Sequence, residues 1–586
     1  MNDTWNIDPI YQGFSDPAYA RDLQVLEKTL ESFEAYSKAL PAAQDPLTAL
    51  KEGIAMQEEI SLLVNKLVTY ASLRQAANTK DPEAASQMGR IMALYSGVAA
   101  PQAAFETWAS NLPSLLELVE GDAFLQPYSF LLANMKENSC HLLPGLGEEI
   151  MAKMAISGSG AWSDLHSYIT STVPVTYRGQ KTNLPAIRNL AYDPDPQVRK
   201  DAFEAELACY ERIEAPAAFA LNSIKLETLT DCRLRGYASP LARTLKQSNM
   251  SQKTLDAMFE AMEEYLPKFR QYLKCKAKAL GHENGLPWYD LFAPVCGSDT
   301  KFTAEEARKY LVDVFAGFDG ELADMVAEAF DNEWIDFYPR DGKSGGAFCA
   351  AVPSIRQSRV LTNFDGAFTD IVTLAHELGH AFHNLCIQDL RPLNQDYTLP
   401  LAETASTFNE CVVMAAAIRD AESKNEKLAL IESQLQDATQ IICDIYSRYL
   451  FEAAVFDRRE EAFMDADTLC RMMTEAQKKS YGDGLDETQM HPYMWVCKSH
   501  YYGPTFYNFP YAFGGLFARG LYAQYEKEGA AFVPKYKKLL KTTPTACAED
   551  VAKVADMDLT DKEFWKAGLQ TIAQQIDLFC ALMEES

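Results

Sequence analysis

The chain has 586 residues, 48% of them hydrophobic and 23% charged, with a formal net charge of −28 at pH 7. That length exceeds one ordinary domain and leaves room for two or more lobes around a large core, with the composition of a soluble globular protein. The acidity repels nucleic-acid backbones and anionic membranes, so neither is expected as a partner. No run reaches the roughly 18 consecutive apolar residues that a membrane span needs.

The opening Met1-Asn2-Asp3-Thr4-Trp5-Asn6 carries neither a basic start nor an apolar stretch, so no secretory signal is expected. Thirteen cysteines are scattered through the chain and none forms a Cys-x-x-Cys pair. Reduced thiols in a cytoplasm fit that pattern better than a disulfide framework. Cys386 and Cys411, near the richest segment, read as packing residues.

Leu23, Leu26, Leu30 and Phe33 recur at helical spacing with glutamates between them, which predicts an early amphipathic helix. Residues 173–180 place β-branched residues before a glycine and suggest a small hairpin. A boundary near residue 200 is expected, giving an N-terminal helical lobe (1–200) and a catalytic domain (201–586). Three short strand-like runs follow, at residues 335–338, 347–350 and 359–363. The first two are joined by a connection expected to be flexible, Asp341-Gly342-Lys343-Ser344-Gly345-Gly346. A small sheet is thus expected directly before the chemically richest helix, where it could offer an open edge to an extended peptide or serve only as a structural platform.

That helix carries His376-Glu377-Leu378-Gly379-His380 on a background made apolar by Val372, Ala375, Phe382 and Leu385. Residues four apart on a helix differ by about 40° in azimuth and about 6 Å along the axis. Two imidazoles so placed can converge on one Zn²⁺, while Glu377, rotated by about 100°, can act on a water beside the ion. A catalytic zinc takes a third protein ligand and keeps a fourth position open. The extended motif that would supply a third histidine needs glycine at 383 and histidine at 386, where this chain has His383 and Cys386. His383 lies about 10 Å along the helix from His376, too far to share an ion, and reads as supporting or structural. The remaining option for a third ligand is a glutamate of a following helix, within Ala402-Glu403-Thr404-Ala405-Ser406-Thr407-Phe408-Asn409-Glu410. Glu403 and Glu410, seven residues and about 20° apart, share a helix face, so one can ligate while the other hydrogen-bonds a ligating histidine. Leu428, Ile431, Leu435, Ile442 and Tyr446 continue the helical pattern through a proline-free stretch from about 425 to 460.

Residues 374–383 and 402–410 resemble the oligoendopeptidase F branch of the thimet oligopeptidase superfamily. Asp336-Phe337-Tyr338-Pro339-Arg340, Gly342-Lys343 and Gly345-Gly346-Ala347-Phe348 are similar to the family's strand and loop before the zinc helix. Gly158-Ser159-Gly160-Ala161-Trp162-Ser163 is similar to its N-terminal half. The resemblance implies a mainly α, clam-like two-lobed fold with a deep central channel, a small sheet beside the zinc helix, and one zinc ion per chain. A narrow channel would admit only short unfolded peptides. The resemblance also implies Glu403 as the third ligand, and that a His/Tyr-rich segment near the C-terminus supports the transition state. Here that segment is His500-Tyr501-Tyr502-Gly503-Pro504-Thr505-Phe506-Tyr507-Asn508-Phe509-Pro510-Tyr511, which departs from relatives at Phe509, Pro504 and Pro510. An imidazole or hydroxyl there can stabilise an oxyanion.

The expectation is therefore a cytoplasmic zinc endopeptidase. His376, His380 and Glu403 bind the metal, Glu377 is general base with His500 and Tyr507 assisting, and Glu410 braces a ligand. Gly345, Gly346, Tyr501, Tyr502 and Tyr511 are expected at the substrate. An exopeptidase on a similar scaffold, or an inactive zinc- or peptide-binding protein, would share many of these features. The oligomeric state is not legible.

Overall fold

The early apolar stripe lies on helix α1 (Pro17–Ala39), opened by Asp16 accepting the Ala18 N–H and by proline in the first turn. Leu23, Leu26 and Phe33 on that stripe are buried. In this computed structural model, which describes residues 2–296 and 301–585, α1 packs against α2 (Pro46–Ala77), whose Asp45 cap accepts two N–H groups. Helices dominate the described residues, as composition and periodicity require. None of them is long and apolar enough to cross a membrane.

The hairpin consists of β1 (Val175–Tyr177) and β2 (Gln180–Thr182), antiparallel with Tyr177 opposite Gln180. Its two turn residues, Arg178 (φ 48°) and Gly179 (φ 80°), both have the positive φ that matches a tight turn to strand twist.

A second sheet contains β3 (Ile335–Asp336), β4 (Phe348–Val352) and β5 (Gln357–Leu361) in the order β3-β5-β4. Strand β3 runs parallel and β4 antiparallel to β5, so β4 is an edge strand. The connection from β3 to β4 is not the flexible link expected from its glycines. Buried Lys343 donates to the carbonyls of Asp336 (3.1 Å), Tyr338 (2.9 Å) and Thr362 (2.5 Å). Asn363 donates to the carbonyls of Ser344 and Gly346, and Ser344 N–H donates to Ala76 O at the end of α2. Gly345 and Gly346 remain exposed on this pinned loop.

Beyond the sheet come α3 (Phe368–Ile387), α4 (Thr404–Asp420), α5 (Lys424–Thr439), α6 (Ile445–Arg459), α7 (Phe509–Glu528) and α8 (Lys562–Glu584). The long 425–460 pattern is helical throughout, but a widened π-type turn, Gln440–Asp444, joins α5 to α6.

Buried apolar residues form three clusters. The largest holds α3, α4, α7 and α8. A second gathers α1, α2 and the chain to Leu132, and takes in Val352 and Leu361 from the sheet. Residues 173–224 and 451–502 supply the third, so chain on both sides of residue 200 packs together there. The sheet lies between the first two clusters. Along β4, Phe348, Ala350 and Val352 meet the N-terminal cluster, while Cys349 between them meets the largest one.

Candidate active site

Helix α3 can carry the His-Glu-x-x-His segment through the interior because its neighbour comes unusually close at Gly379. A Cβ there would lie 2.6 Å from Ala405 O and from Ser406 Cα of α4. That approach brings Glu403, the residue preceding α4, up to the two histidines. Asn409 ties the helices again by donating to Ala375 O at 3.2 Å. Gly514 does the same from the other side: a Cβ there would stand 3.0 Å from the Glu403 Cβ, so α7 closes directly behind this carboxylate.

His376 Nε2 and His380 Nε2 lie 3.3 and 3.5 Å from Glu403 Oε2. The three ligating atoms all fall within 4.8 Å of one another. Two atoms each about 2.0–2.1 Å from a tetrahedral zinc are separated by about 3.3 Å, so the spacing suits one ion. Two imidazoles and one carboxylate are also the donor chemistry that a catalytic zinc takes. Behind them, Glu410 Oε1 sits 2.5 Å from His376 Nδ1, fixing the ring so that Nε2 faces the carboxylate. Ser406 Oγ donates to Glu403 Oε2 at 2.7 Å.

Charge and burial oppose each other here. Burial disfavours a charged His376, yet hydrogen bonds to Glu403 and Glu410 raise its pKa to about 10. Burial would also raise Glu403, but its hydrogen bond to His376 and the nearby imidazoles bring it down to about 2. His380 is lowered to about 4, mainly by burial. Glu377 is pushed up to about 7, first by burial and then by the two neighbouring carboxylates. A buried carboxyl held near neutrality suits a group that both takes and returns a proton.

These residues line a cavity of about 460 Å³ together with Ala347, Phe348, Cys349 and Ala351 on the edge strand. Asn384, Gln395, Asp396 and Tyr397 complete it, and none of these was anticipated. Tyr397 stacks flat on His383 (4.1 Å, 3°); as a loop residue outside any motif it gives no sequence signal. His383 points away from the ligands, with Nε2 2.8 Å from Thr543 Oγ1.

The C-terminal segment divides. His500, Tyr507 and Tyr511 form a ring triangle with centroids 5.4, 6.1 and 5.7 Å apart. Burial, the Tyr507 hydroxyl and the charge of Glu403 lift Tyr511 to about 12, which places it within the field of the ligand set. Tyr501 and Tyr502, expected at the substrate, are instead buried in the third cluster. Tyr501 packs edge-on to Phe451, and Tyr502 stacks on His166 at 3.5 Å. In a tight turn, adjacent aromatic side chains cannot all face one cavity, and these two supply core instead. Tyr507 is held by the turn before α7, in which Phe506 has φ 51°. Buried Glu452 pins that turn, accepting from Phe506 N–H (3.2 Å) and Asn508 Nδ2 (2.8 Å) while paired with Lys225 (2.6 Å).

Oligopeptidase PepF of Bacillus subtilis (strain 168) is 24% identical over 588 residues, covering 98% of this chain and 86% of that protein. A crystal structure from Chlamydophila abortus matches at 20% identity with a TM-score of 0.85, over 99% of this chain and 98% of that one. Oligoendopeptidase-F from Enterococcus faecium matches at 18% identity with a TM-score of 0.73, over 97% and 99%. At these identities the solved structures speak to the fold. The model of peptidase family M3 matches residues 189–571, well over half of the chain. The chain therefore belongs to peptidase family M3, among the metallopeptidases of the oligoendopeptidase F branch.

Proposed function

We propose that the protein is a zinc endopeptidase that hydrolyses internal bonds of short unfolded peptides in the cytoplasm. The convergence of His376, His380 and Glu403 on one point, with Glu377 facing the same cavity, carries this reading. One zinc ion held there would lower the pKa of a water and polarise the scissile carbonyl. Glu377 takes the proton from the attacking water and delivers it to the leaving amine nitrogen as the C–N bond breaks. His500 and Tyr507, with Tyr511 beside them, donate hydrogen bonds to the carbonyl oxygen as it gains negative charge. An extended peptide pairs with the free edge of β4, and exposed Gly345 and Gly346 let its backbone approach. The acidic surface makes nucleic acid an unsuitable partner.

The test uses an internally quenched peptide of about ten residues blocked at both ends, with the zinc-loaded wild type and Glu377→Gln. Cleavage by the wild type, lost on chelation and regained with zinc, is expected. Glu377→Gln is expected to keep its zinc while losing at least about 100-fold in kcat. Turnover by the variant at the wild-type rate removes Glu377 from its role. Cleavage only of peptides with a free terminus indicates an exopeptidase, and zinc binding without any cleavage indicates a binding protein.

A further inference from the structure

A second cavity, of about 530 Å³, flanks the proposed reaction centre. Two relations tie it there. Lys498 on its wall precedes His500 by two residues, and its charge bears on the His500 imidazole. Asp437, at the end of α5 and also on the wall, lies within the field of Glu410. Aromatic rings of Tyr192, Phe203, Trp288 and Phe292 form much of the remaining lining.

The charges of this cavity are unevenly matched. Its wall residue Arg199 is engaged by the buried Asp290 behind it at 2.7 Å, and its wall carboxylate Glu206 meets the Tyr210 hydroxyl at 2.9 Å and His491 at 3.5 Å. Asp437 is held up near 6 by burial and by the charge of Glu410. Two cations are not engaged in this way. Arg188 is ion-paired with Glu206 through Nε alone at 3.4 Å, and among the described residues its guanidinium makes no side-chain hydrogen bond. The ammonium of half-buried Lys498 has neither an ion pair nor a hydrogen bond among the described residues. Both side chains line the cavity, and the pKa of Lys498 is lowered first by burial, then by Arg448 and, to a smaller degree, by Arg188. Like charges brought together in a partly buried cavity cost stability unless an anion offsets them.

We propose that Arg188 and Lys498 form a carboxylate-binding subsite for the peptide substrate, with the aromatic wall receiving the apolar part of the same residue. Guanidinium and ammonium donors pair strongly with a carboxylate, and a cavity walled by rings strengthens that pairing by excluding water. This inference rests on the peptidase reading, because it assigns the anion to a peptide. The carboxylate can be the C-terminal one of a short substrate or that of an Asp or Glu side chain; both present the same group.

Binding separates the two sources without relying on turnover. Zinc-loaded Glu377→Gln protein would be titrated, by fluorescence anisotropy, with an N-terminally labelled peptide of about ten residues in four forms. These are the free acid without acidic side chains, its C-terminal amide, the amide with one Glu scanned along the sequence, and the amide with Gln at the same positions. Tighter binding of the free acid than of its amide, by about tenfold, identifies the terminal carboxylate. A similar preference for Glu over Gln at one position identifies a side chain. Adding Lys498→Met or Arg188→Met should erase the preference, Lys498→Arg should retain it, and the uncharged amide should bind every variant alike. Equal binding of all four peptides overturns the proposal, as does a preference that survives both methionine substitutions. The comparison among peptides on the parent protein stands even where a substitution prevents folding. Cleavage of the blocked peptide by wild type without any carboxylate preference defeats this subsite alone; a preference without cleavage leaves the subsite and defeats the endopeptidase reading.

Discussion

Gly379 is where a missing side chain bears directly on the geometry of the site. Its neighbours are backbone atoms of α4, which cannot swing aside. Gly379→Ala must therefore push α3 and α4 apart, at a cost of about 1–3 kcal/mol, and carry Glu403 away from the histidines. The expected outcome is a lower Tm together with weakened zinc affinity, whereas Gly345→Ala, at a position with open space around it, leaves Tm unchanged. An unaltered zinc titration for Gly379→Ala contradicts the account. His383 gives a pH dependence. Burial, assisted by the charge of His380, lowers its pKa from the usual 6.5 to about 3. The unfolded chain thus takes up a proton there that the folded chain refuses, so stability present above about pH 6.5 is lost as pH falls toward 3. The slope is at most about 1.4 kcal/mol per pH unit. Thermal melts of His383→Gln should fall less steeply over that range than those of wild type. The convergence of His376 and His380 was legible because a four-residue spacing on a helix leaves few alternatives, while Glu403 came from the family resemblance. Tyr397 was not, because a loop side chain is aimed by its tertiary partner, here His383.

At the scale of elements, the turn between His500 and α7 depends on a buried ion pair. Lys225 and Glu452 are each 1% exposed, and Glu452 spends its two oxygens on both sides of the strained Phe506. Lys225→Met leaves an uncompensated buried carboxylate and should cost about 3–5 kcal/mol. The double variant Lys225→Met/Glu452→Met should recover much of the Tm, since the charge is gone, yet keep a reduced kcat because the turn bearing Tyr507 has lost its anchor. Recovery of both quantities would show that the pair serves stability alone. Helices α1 and α3 and the hairpin were readable from period and turn chemistry. The direction of residues 500–511 was not, because a run of aromatics has no period from which to choose a face. Tyr501 and Tyr502 were assigned to substrate for that reason. The loop after β3 misled in the opposite sense: its glycines suggest mobility, but Lys343 pins it through contacts that sequence does not display.

Over the whole molecule, the sheet shared by two apolar clusters is the feature that local sequence reports least. Three short strands could be read, but not that the chain's first residues lace them together. Phe337 N–H donates to Asp3 O, Asn6 N–H to Glu333 O, and the buried Arg359 Nε to Asn6 O. The last of these joins residues 353 positions apart. Contacts of that separation are among the slowest to form, because the intervening chain must first be brought into order. During synthesis, residues 3–6 must wait for partners made more than three hundred residues later. The sheet beside the proposed reaction centre is therefore finished late, and a partly made chain has its first helices long before it has the completed edge that the proposed peptide pairing needs.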